Sequence, residues 1–277
     1  MNVIEPHSSD DRRLNSPTDT YVAVRGVDKV YTLPKGGTVT AIRQVDLDIG
    51  RGEFVSIVGP SGCGKSTLLK CIAGITAVNA GSIAVDGAEV SDPPDRMAIV
   101  FQRDILLDWR SVLDNILLPI EFKGYRKADW AGKAGELLTL IGLQGFEQRR
   151  PWELSGGQRQ RVAICRALIQ DPRLLLMDEP FGALDALTRD DLNLELQRLW
   201  LASKKTVLFI THSISEAVLL SDRVVVMAAN PGRIVETIAI DMPRPRTLDS
   251  RETPEFGGYA KHIRKRFEEL GVLKGKA

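Results

Sequence analysis

The chain has 277 residues, of which 43% are hydrophobic, 26% charged and 6% aromatic, a composition typical of a soluble globular protein with one large domain or two small ones. Lys and Arg number 37 against 36 acidic residues, which argues against a protein that depends on non-specific nucleic-acid binding. The three cysteines, Cys63, Cys71 and Cys165, are too scattered for a disulfide framework or a zinc site. No apolar run approaches the roughly 18 residues of a membrane span, and the polar N-terminus lacks the apolar segment of a signal peptide. We therefore expect a cytosolic chain.

The N-terminal part of the chain alternates between polar segments and predicted strands. Residues 1–20 are rich in Pro, Ser and Asp without hydrophobic periodicity, which predicts a disordered lead-in. Strict alternation over 45–49 predicts a half-buried strand, and the apolar run 54–58 predicts another strand that leads into a helix. Asp86-Gly87 is a hairpin turn signal, so an antiparallel β piece belongs to this part of the chain.

Beyond a further apolar strand at 97–101, the hydrophobic period becomes helical, which predicts a helical subdomain over about 103–165. The helical spacing is clearest for Trp130, Ala134, Leu137, Leu138 and Ile141. Apolar strands return at 174–177, 207–210 and 224–227, with a helix between the first two. Strands separated by helices predict an α/β fold with a mainly parallel, doubly wound sheet.

These changes of pattern predict the domain organisation. We expect a core domain over 21–240 that contains the helical subdomain, followed by a linker and a C-terminal helix over 241–277. The linker contains the Pro/Arg sequence MPRPR. The apolar face of the last helix consists of Tyr259, Ile263, Phe267 and Leu270.

A segment between the apolar run at 54–58 and the following helix fits the phosphate-loop pattern G-x-x-x-x-G-K-[ST]. It consists of Gly59, Pro60, Ser61, Gly62, Cys63, Gly64, Lys65, Ser66 and Thr67. Glycines let backbone N–H groups curl around phosphate oxygens, and the helix N-terminus adds a favourable dipole. We expect Lys65 to reach the β- and γ-phosphates and the Ser66 hydroxyl to ligate Mg²⁺. A glycine-rich turn with an accidental lysine is the alternative, which the match and its context disfavour.

Polar residues follow two later apolar strands, where they would lie beside the phosphate loop. Asp178 is expected to hold Mg²⁺ through water, and Glu179 to polarise the attacking water. His212 is expected to contact the γ-phosphate from a third strand end. The alternatives are a solvated surface acid for Glu179 and a structural histidine for His212. Because Cys63 lies near a helix N-terminus, we also expect a lowered thiol pKa and alkylation that ATP prevents.

The segment Leu154-Ser155-Gly156-Gly157-Gln158 reads LSGGQ, and with the other motifs it resembles the signature of the ATP-binding subunits of ABC transporters. The resemblance extends from about Val22 to Pro231. It implies the P-loop NTPase fold of ABC ATPases, with a mainly parallel sheet flanked by helices, an antiparallel β piece and a helical subdomain. ATP and Mg²⁺ are the implied cofactors.

The family's functional residues carry over to single positions of this chain. Tyr31 resembles the aromatic residue that stacks on adenine, although an aromatic on a strand is usually packing. Gln102 resembles the Q-loop glutamine, a metal ligand and γ-phosphate sensor, and His212 resembles the switch histidine. Asp185 resembles the D-loop aspartate.

The signature also has a physical interpretation. Ser155 is predicted to cap a helix whose N–H groups, with Gly156 and Gly157, cradle an anion. In the family this cradle closes on the ATP of a second copy, which forms a head-to-tail dimer that hydrolysis reopens. The nearby arginines, Arg159, Arg161 and Arg166, are expected to face neighbouring residues or solvent rather than nucleic acid.

Three segments, 101–115, 211–217 and 230–234, resemble the nitrate/sulfonate/taurine branch of importer ATPases. Asp108 departs from the proline typical of that branch. The branch implies membrane permease subunits as partners, an extracytoplasmic solute-binding protein as an indirect partner, and a peripheral location at the cytoplasmic face of the membrane. We expect the permease to dock on an exposed apolar set, for which core packing is the alternative: Ile105, Leu106, Leu107 and Trp109.

Two other functions are weaker interpretations of the same residues. A non-transport ABC ATPase of DNA repair or translation usually has a coiled-coil insertion or two cassettes, and neither is found in this sequence. A kinase or GTPase with the same phosphate loop has no use for LSGGQ or Asp185. An importer ATPase is the function that the sequence favours.

Overall fold

A computed structural model describes residues 20–34 and 36–271. The strands are β1 (Thr20–Thr32), β2 (Thr38–Gly50), β3 (Phe54–Val58), β4 (Ala80–Val85), β5 (Ala88–Glu89), β6 (Met97–Val100), β7 (Leu174–Asp178), β8 (Thr206–Ile210), β9 (Arg223–Ala228) and β10 (Arg233–Ala239). The helices are α1 (Lys65–Ile72), α2 (Val112–Ile116), α3 (Leu118–Phe122), α4 (Ala131–Leu140), α5 (Gly156–Leu168), α6 (Ala186–Ser203), α7 (Ile214–Leu220) and α8 (Pro254–Glu269). Short 3₁₀ helices cover Lys127–Trp130, Pro151–Glu153 and Asp249–Glu252. The predicted disordered lead-in lies outside the described residues, apart from Thr20, which begins β1.

The first sheet is the predicted antiparallel piece, with the strand order β2-β1-β4-β5. Its β4–β5 hairpin turns at Asp86 (φ 52°) and Gly87 (φ 79°). Two consecutive left-handed residues give the tight turn that matches the twist of an antiparallel pair. The hairpin signal in the sequence is therefore confirmed.

The second sheet has the order β10-β9-β3-β8-β7-β6 and is parallel except for the β9–β10 pair. Strands β3 and β8 are buried at every position. Parallel strands that are covered on both faces consist of apolar runs rather than alternating residues, which explains the runs in the sequence. One face packs on α1 and the antiparallel sheet, and the other packs on α5 and α6.

Helices α2 to α5 occupy most of the predicted helical subdomain and share a hydrophobic cluster of their own. Val112 and Ile116 of α2 pack there with Ala134 and Leu138 of α4. The same helix α5 also contacts the parallel sheet through Ile164. The cluster supports a separate helical unit, and the domain boundaries remain our prediction.

The segment after β10 is fixed to the core. The buried guanidinium of Arg246 donates to the carbonyl oxygens of Val218 and Ser221, both at 2.7 Å, and to those of Ile240 and Met242, both at 3.0 Å. Helix α8 then buries Ile263 and Phe267 beside α7, as its predicted apolar face requires. Among the described helices, none combines the length and apolarity needed to cross a membrane.

Candidate nucleotide-binding site

The phosphate loop joins β3 to α1 at the carboxyl edge of the parallel sheet. Gly62 (φ 77°) and Gly64 (φ 94°) adopt left-handed conformations that disfavour larger residues. Gly64 is the N-cap of α1, so no side chain caps this helix, and its first turn contains no acidic residue. Backbone N–H groups without a side-chain cap, at the positive end of the helix dipole, fit a phosphate group.

Segments that are far away in the sequence pack closely on the phosphate loop. A Cβ atom on Gly59 would lie 2.7 Å from the carbonyl oxygen of Met227, in β9. A Cβ atom on Gly232 would overlap the carbonyl oxygen of Cys63, and Gly232 also donates to the Ala41 carbonyl oxygen at 3.1 Å. Sequence reasoning missed Gly232 as a residue of the site. It belongs to segment 230–234, whose resemblance to the importer branch was the available signal.

Lys65 is buried within the loop that it follows. Its ammonium group donates to the carbonyl oxygens of Gly59 at 2.9 Å and Pro60 at 3.0 Å. These contacts hold the positive charge inside the curve of the loop, where a phosphate group would find it.

The expected low pKa of Cys63 is wrong. The Cys63 side chain is fully buried, and burial raises the pKa of its thiol. The neighbouring Lys65 charge and backbone N–H groups act in the opposite direction, but burial has the larger effect. A buried neutral thiol is a poor nucleophile, so the structure gives no support to the expected alkylation.

Ser66 and Asp178 come together although they are 112 residues apart in the sequence. The Ser66 hydroxyl donates to Oδ1 of Asp178 at 2.8 Å. Burial raises the pKa of Asp178, and the neighbouring Glu179 charge raises it further. The hydrogen bond from Ser66 acts in the opposite direction. A hydroxyl beside a partly buried carboxylate supplies the oxygen ligands that Mg²⁺ prefers, so these two residues fit the ion.

Glu179, His212 and Gln102 surround Gly182. His212 Nδ1 lies 3.3 Å from Glu179 Oε2. A Cβ atom on Gly182 would lie 3.2 Å from Gln102 Nε2 and 3.6 Å from His212 Cε1. The residues come from the ends of neighbouring strands β6, β7 and β8, so the structure brings the predicted strand-end residues together.

A buried network behind His212 was not predicted. Thr211 donates its hydroxyl to Glu216 and accepts the Ser213 N–H at 2.9 Å. The other carboxylate oxygen of Glu216 lies 3.7 Å from Arg189 Nε, and Arg189 donates to the Leu184 carbonyl oxygen at 2.7 Å. Glu216 thus joins the turn that contains His212 to the segment that contains Asp185. The signal for Glu216 that the sequence offered was its position four residues after His212.

The signature residues form a separate group at the start of α5. The Ser155 hydroxyl accepts the Gln158 N–H at 3.3 Å, and the Gln158 side chain accepts the Ser155 N–H at 2.9 Å, so Ser155 caps the helix as predicted. Gly156 lies beside Leu184, and a Cβ atom on Gly157 would overlap the methyl group of Thr188 in α6.

Asp185 and the arginines of α5 have partners within the chain. Asp185 caps α6 by accepting the Thr188 N–H at 3.0 Å, a bond that lowers the pKa of its carboxyl group. Arg159 pairs with Asp104, Arg161 pairs with Glu195, and Arg166 donates to backbone carbonyl oxygens. The expectation that these arginines face neighbouring residues is confirmed.

The adenine-stacking role of Tyr31 and permease docking on the apolar set stay predictions. Tyr31, at the end of β1, is partly exposed, and Lys29 Nζ lies 5.1 Å from its ring centroid. In the predicted docking set, Ile105 and Trp109 are 53% and 71% exposed. Leu106 and Leu107 are half-buried rather than exposed as expected, and Leu106 packs on the helical cluster.

A phosphate loop with a strand-end carboxylate pair and an LSGGQ helix defines the class of ATP-binding cassette ATPases. The chain belongs to the ABC transporter family, whose model matches residues 42–182. It is 46% identical to the taurine import ATP-binding protein TauB of Jannaschia sp. over 78% of this chain and 80% of the relative. It is 40% identical to the aliphatic sulfonates import ATP-binding protein SsuB of Bacillus cereus over 91% of this chain and 98% of the relative.

Solved structures give the same result. The dimeric structure of the bacterial ABC transporter cassette MJ0796 has a TM-score of 0.71 and 33% identity, and it covers 80% of this chain and 100% of the cassette. A post-hydrolysis state of that cassette, bound to ADP and Pi, has a TM-score of 0.69. The ABC ATPase fold and the ATPase class that the sequence predicted are therefore confirmed.

Proposed function

We propose that this chain is the energy-coupling ATPase of an importer for a small anion of the sulfonate, taurine or nitrate class. The observation that carries the ATPase part is the pairing of Ser66 with Asp178 beside the Glu179–His212 contact. The similarity to taurine and sulfonate import proteins supports the substrate class. The solute itself would be selected by a solute-binding protein and membrane subunits.

Each predicted site residue receives a role in this proposal. The phosphate loop from Gly59 to Thr67 binds the ATP phosphates, with Lys65 as the cationic contact. Ser66, Asp178 and Gln102 would hold Mg²⁺, which would neutralise phosphate charge when bound. Glu179 orients the attacking water as general base.

The remaining residues complete the site. His212 stabilises charge that develops on the γ-phosphate, and Tyr31 stacks on adenine. The signature residues bind the ATP of a second copy in a head-to-tail dimer: Ser155, Gly156, Gly157 and Gln158, with Asp185 beside them. The apolar residues Ile105 and Trp109 contact the permease, which holds the chain at the cytoplasmic face of the membrane.

The Glu179→Gln variant tests the catalytic part. It should keep the fold and ATP affinity and lose hydrolysis by about 10²-fold, the scale of a positioned base. ATP binding and phosphate release are measured on the purified chain. Glu136→Gln, an exposed acid on α4, is the matched control. Turnover near that of the unmodified chain in Glu179→Gln would remove Glu179 from this role.

Growth tests the transport part. Deletion of the gene should abolish growth on taurine or an alkanesulfonate as sole sulfur source, with rescue by the unmodified gene and not by Glu179→Gln. A defect confined to nitrate as sole nitrogen source would move the substrate to nitrate. Normal growth on every source would contradict the proposed substrate class while leaving the ATPase assay as an independent result.

A further inference from the structure

A polar cavity of about 430 Å³ lies at the edge of the parallel sheet opposite the phosphate loop. Its walls are the turns that precede the neighbouring strands β3, β6, β7 and β8. The ends of these same strands at the other edge carry the phosphate loop, Gln102, Asp178 and His212. The cavity is therefore separate from the nucleotide site and is assigned no role by the proposed function.

Four cationic side chains share two carboxylates around this cavity. Arg51 and Arg173 both pair with Asp86, at 2.6 and 3.5 Å. Arg96 and Lys205 both pair with Asp171, at 3.2 and 2.5 Å. Each carboxylate thus faces two positive charges. A fifth cation, Lys204, also lines the cavity, with its ammonium group over the Trp200 ring. Arg51 has a further partner and is left out of the charge count. The other four cations then carry an excess of two positive charges over the two carboxylates.

The backbone around the cavity is fixed in unusual conformations. Arg96 (φ 56°), Asp171 (φ 50°) and Lys204 (φ 45°) are left-handed although none is glycine. Such residues cost free energy and persist only where the surroundings hold them, often at ligand sites.

Hydrogen bonds between the turns make the cavity rigid. The Arg173 N–H donates to the Arg96 carbonyl oxygen at 2.6 Å, and the Gly52 N–H donates to Thr206 Oγ1 at 2.9 Å. Cations held in place before a ligand arrives lose little conformational entropy when they bind it.

We propose that this cavity binds a small phosphate-bearing dianion. A dianion balances the excess charge, and arginine donors match phosphate oxygens in pairs. The partial exposure of Arg96 and Arg173, at 48% and 51%, leaves their guanidinium groups accessible from the cavity. The volume accommodates inorganic phosphate or a phosphorylated sugar.

Calorimetric titration of the full chain tests the site. Inorganic phosphate and ribose 5-phosphate are titrated separately at about pH 8, where both are mainly dianions. Divalent ions are removed beforehand by dialysis, so that none binds the probe. Each titration is repeated with Lys65→Ala, which removes the phosphate-loop contact. We expect at least one probe to bind the Lys65→Ala chain, and the probe that binds identifies the inorganic or the sugar form. Binding lost with Lys65→Ala, or absent with both probes, would overturn the proposal.

Two substitutions in the Lys65→Ala chain should change affinity in opposite directions. Arg173→Gln removes a donor and should weaken binding about tenfold, the range of a charge-assisted hydrogen bond. Asp171→Asn keeps the side-chain shape, tolerates the left-handed backbone and removes a competing charge, so affinity should rise roughly threefold. Arg126→Gln, in the distant helical region and 81% exposed, is the charge-matched control. Equal affinities in all of these variants would exclude this cavity as the site.

Discussion

Position 157 has no room for a side chain, because helices α5 and α6 meet at the Cα atom of Gly157. A Cβ atom there would overlap the Thr188 methyl group, so the start of α5 touches α6. Gly157→Ala should displace the signature helix and reduce ATPase turnover about tenfold, since small misplacements of positioned groups cost rate steeply. Thr188→Ser removes the methyl group and keeps the hydroxyl, so the double variant should recover activity. Steady-state phosphate release measures the turnover of each variant.

Gly132→Ala is the matched control for Gly157→Ala. Gly132 also lies in a helix, α4, and a Cβ atom there would meet no other atom within 4 Å. Its turnover should equal that of the unmodified chain. If Thr188→Ser failed to restore Gly157→Ala, the overlap with Thr188 would not be the cause of the loss.

Single residues of the site differ in how far sequence could predict them. Ser66 and Asp178 follow from the phosphate-loop pattern and from the rule that parallel strands end at one edge, and the structure joins them at 2.8 Å. The pKa of Cys63 could not be predicted in this way. It depends on burial by residues far along the chain, such as Met227 of β9 near Gly59, and helix position alone gives the opposite direction.

Helix α7 connects the His212 turn to helix α6 through Glu216. Burial raises the pKa of Glu216 against the effects of Thr211 and Arg189, so a neutral side chain of the same shape should be tolerated. We expect Glu216→Ala to lower kcat about tenfold with little change in KM, because it frees the turn that positions His212. Glu216→Gln can still accept the Thr211 hydroxyl and should restore most of kcat.

The kcat and KM values of these variants are measured on the purified chain, with unfolding midpoints measured beside them. A loss of stability in Glu216→Ala without the kcat effect would make Glu216 a packing residue only. An equal loss of kcat in Glu216→Gln would show that its charge, rather than its hydrogen bond, positions the turn.

Elements were more predictable than the contacts between them. The apolar runs and helical periods gave β3, β7, β8 and β9 in their correct places, because burial on both faces of a parallel sheet determines composition directly. The contact of Gly232 with the phosphate loop follows from β9 lying next to β3 in the sheet. That order depends on tertiary packing, which local pattern does not specify.

At the scale of the whole molecule, Arg246 joins the C-terminal segment to helix α7 and to the end of β10. Burial lowers the pKa of Arg246 to about 10, with the nearby Arg244 charge acting in the same direction, so the side chain still carries its charge at neutral pH. Arg246→Met keeps most of the volume but leaves several buried carbonyl oxygens without donors, which should cost about 3 kcal/mol of unfolding free energy. Urea unfolding measures the loss.

The control is Arg264→Met, at an exposed position on α8, which should change the unfolding free energy by less than about 0.5 kcal/mol. Equal stability in both variants would show that Arg246 does not stabilise the C-terminal segment.

The proposed dimer follows from the separation of two predicted anion-binding groups on one chain. The phosphate loop lies at the start of α1, whereas the Ser155 cradle lies at the start of α5 against α6. A second copy would bring the cradle onto bound ATP, and ligand bound between copies favours their association by mass action. Glu179→Gln should therefore form dimers with MgATP, and the same chain with Lys65→Ala added should remain monomeric. Light scattering after size exclusion, at several protein concentrations, measures the mass. Monomers of Glu179→Gln at every concentration, with ATP binding verified in the same sample, would contradict ATP-driven closure of the isolated chain.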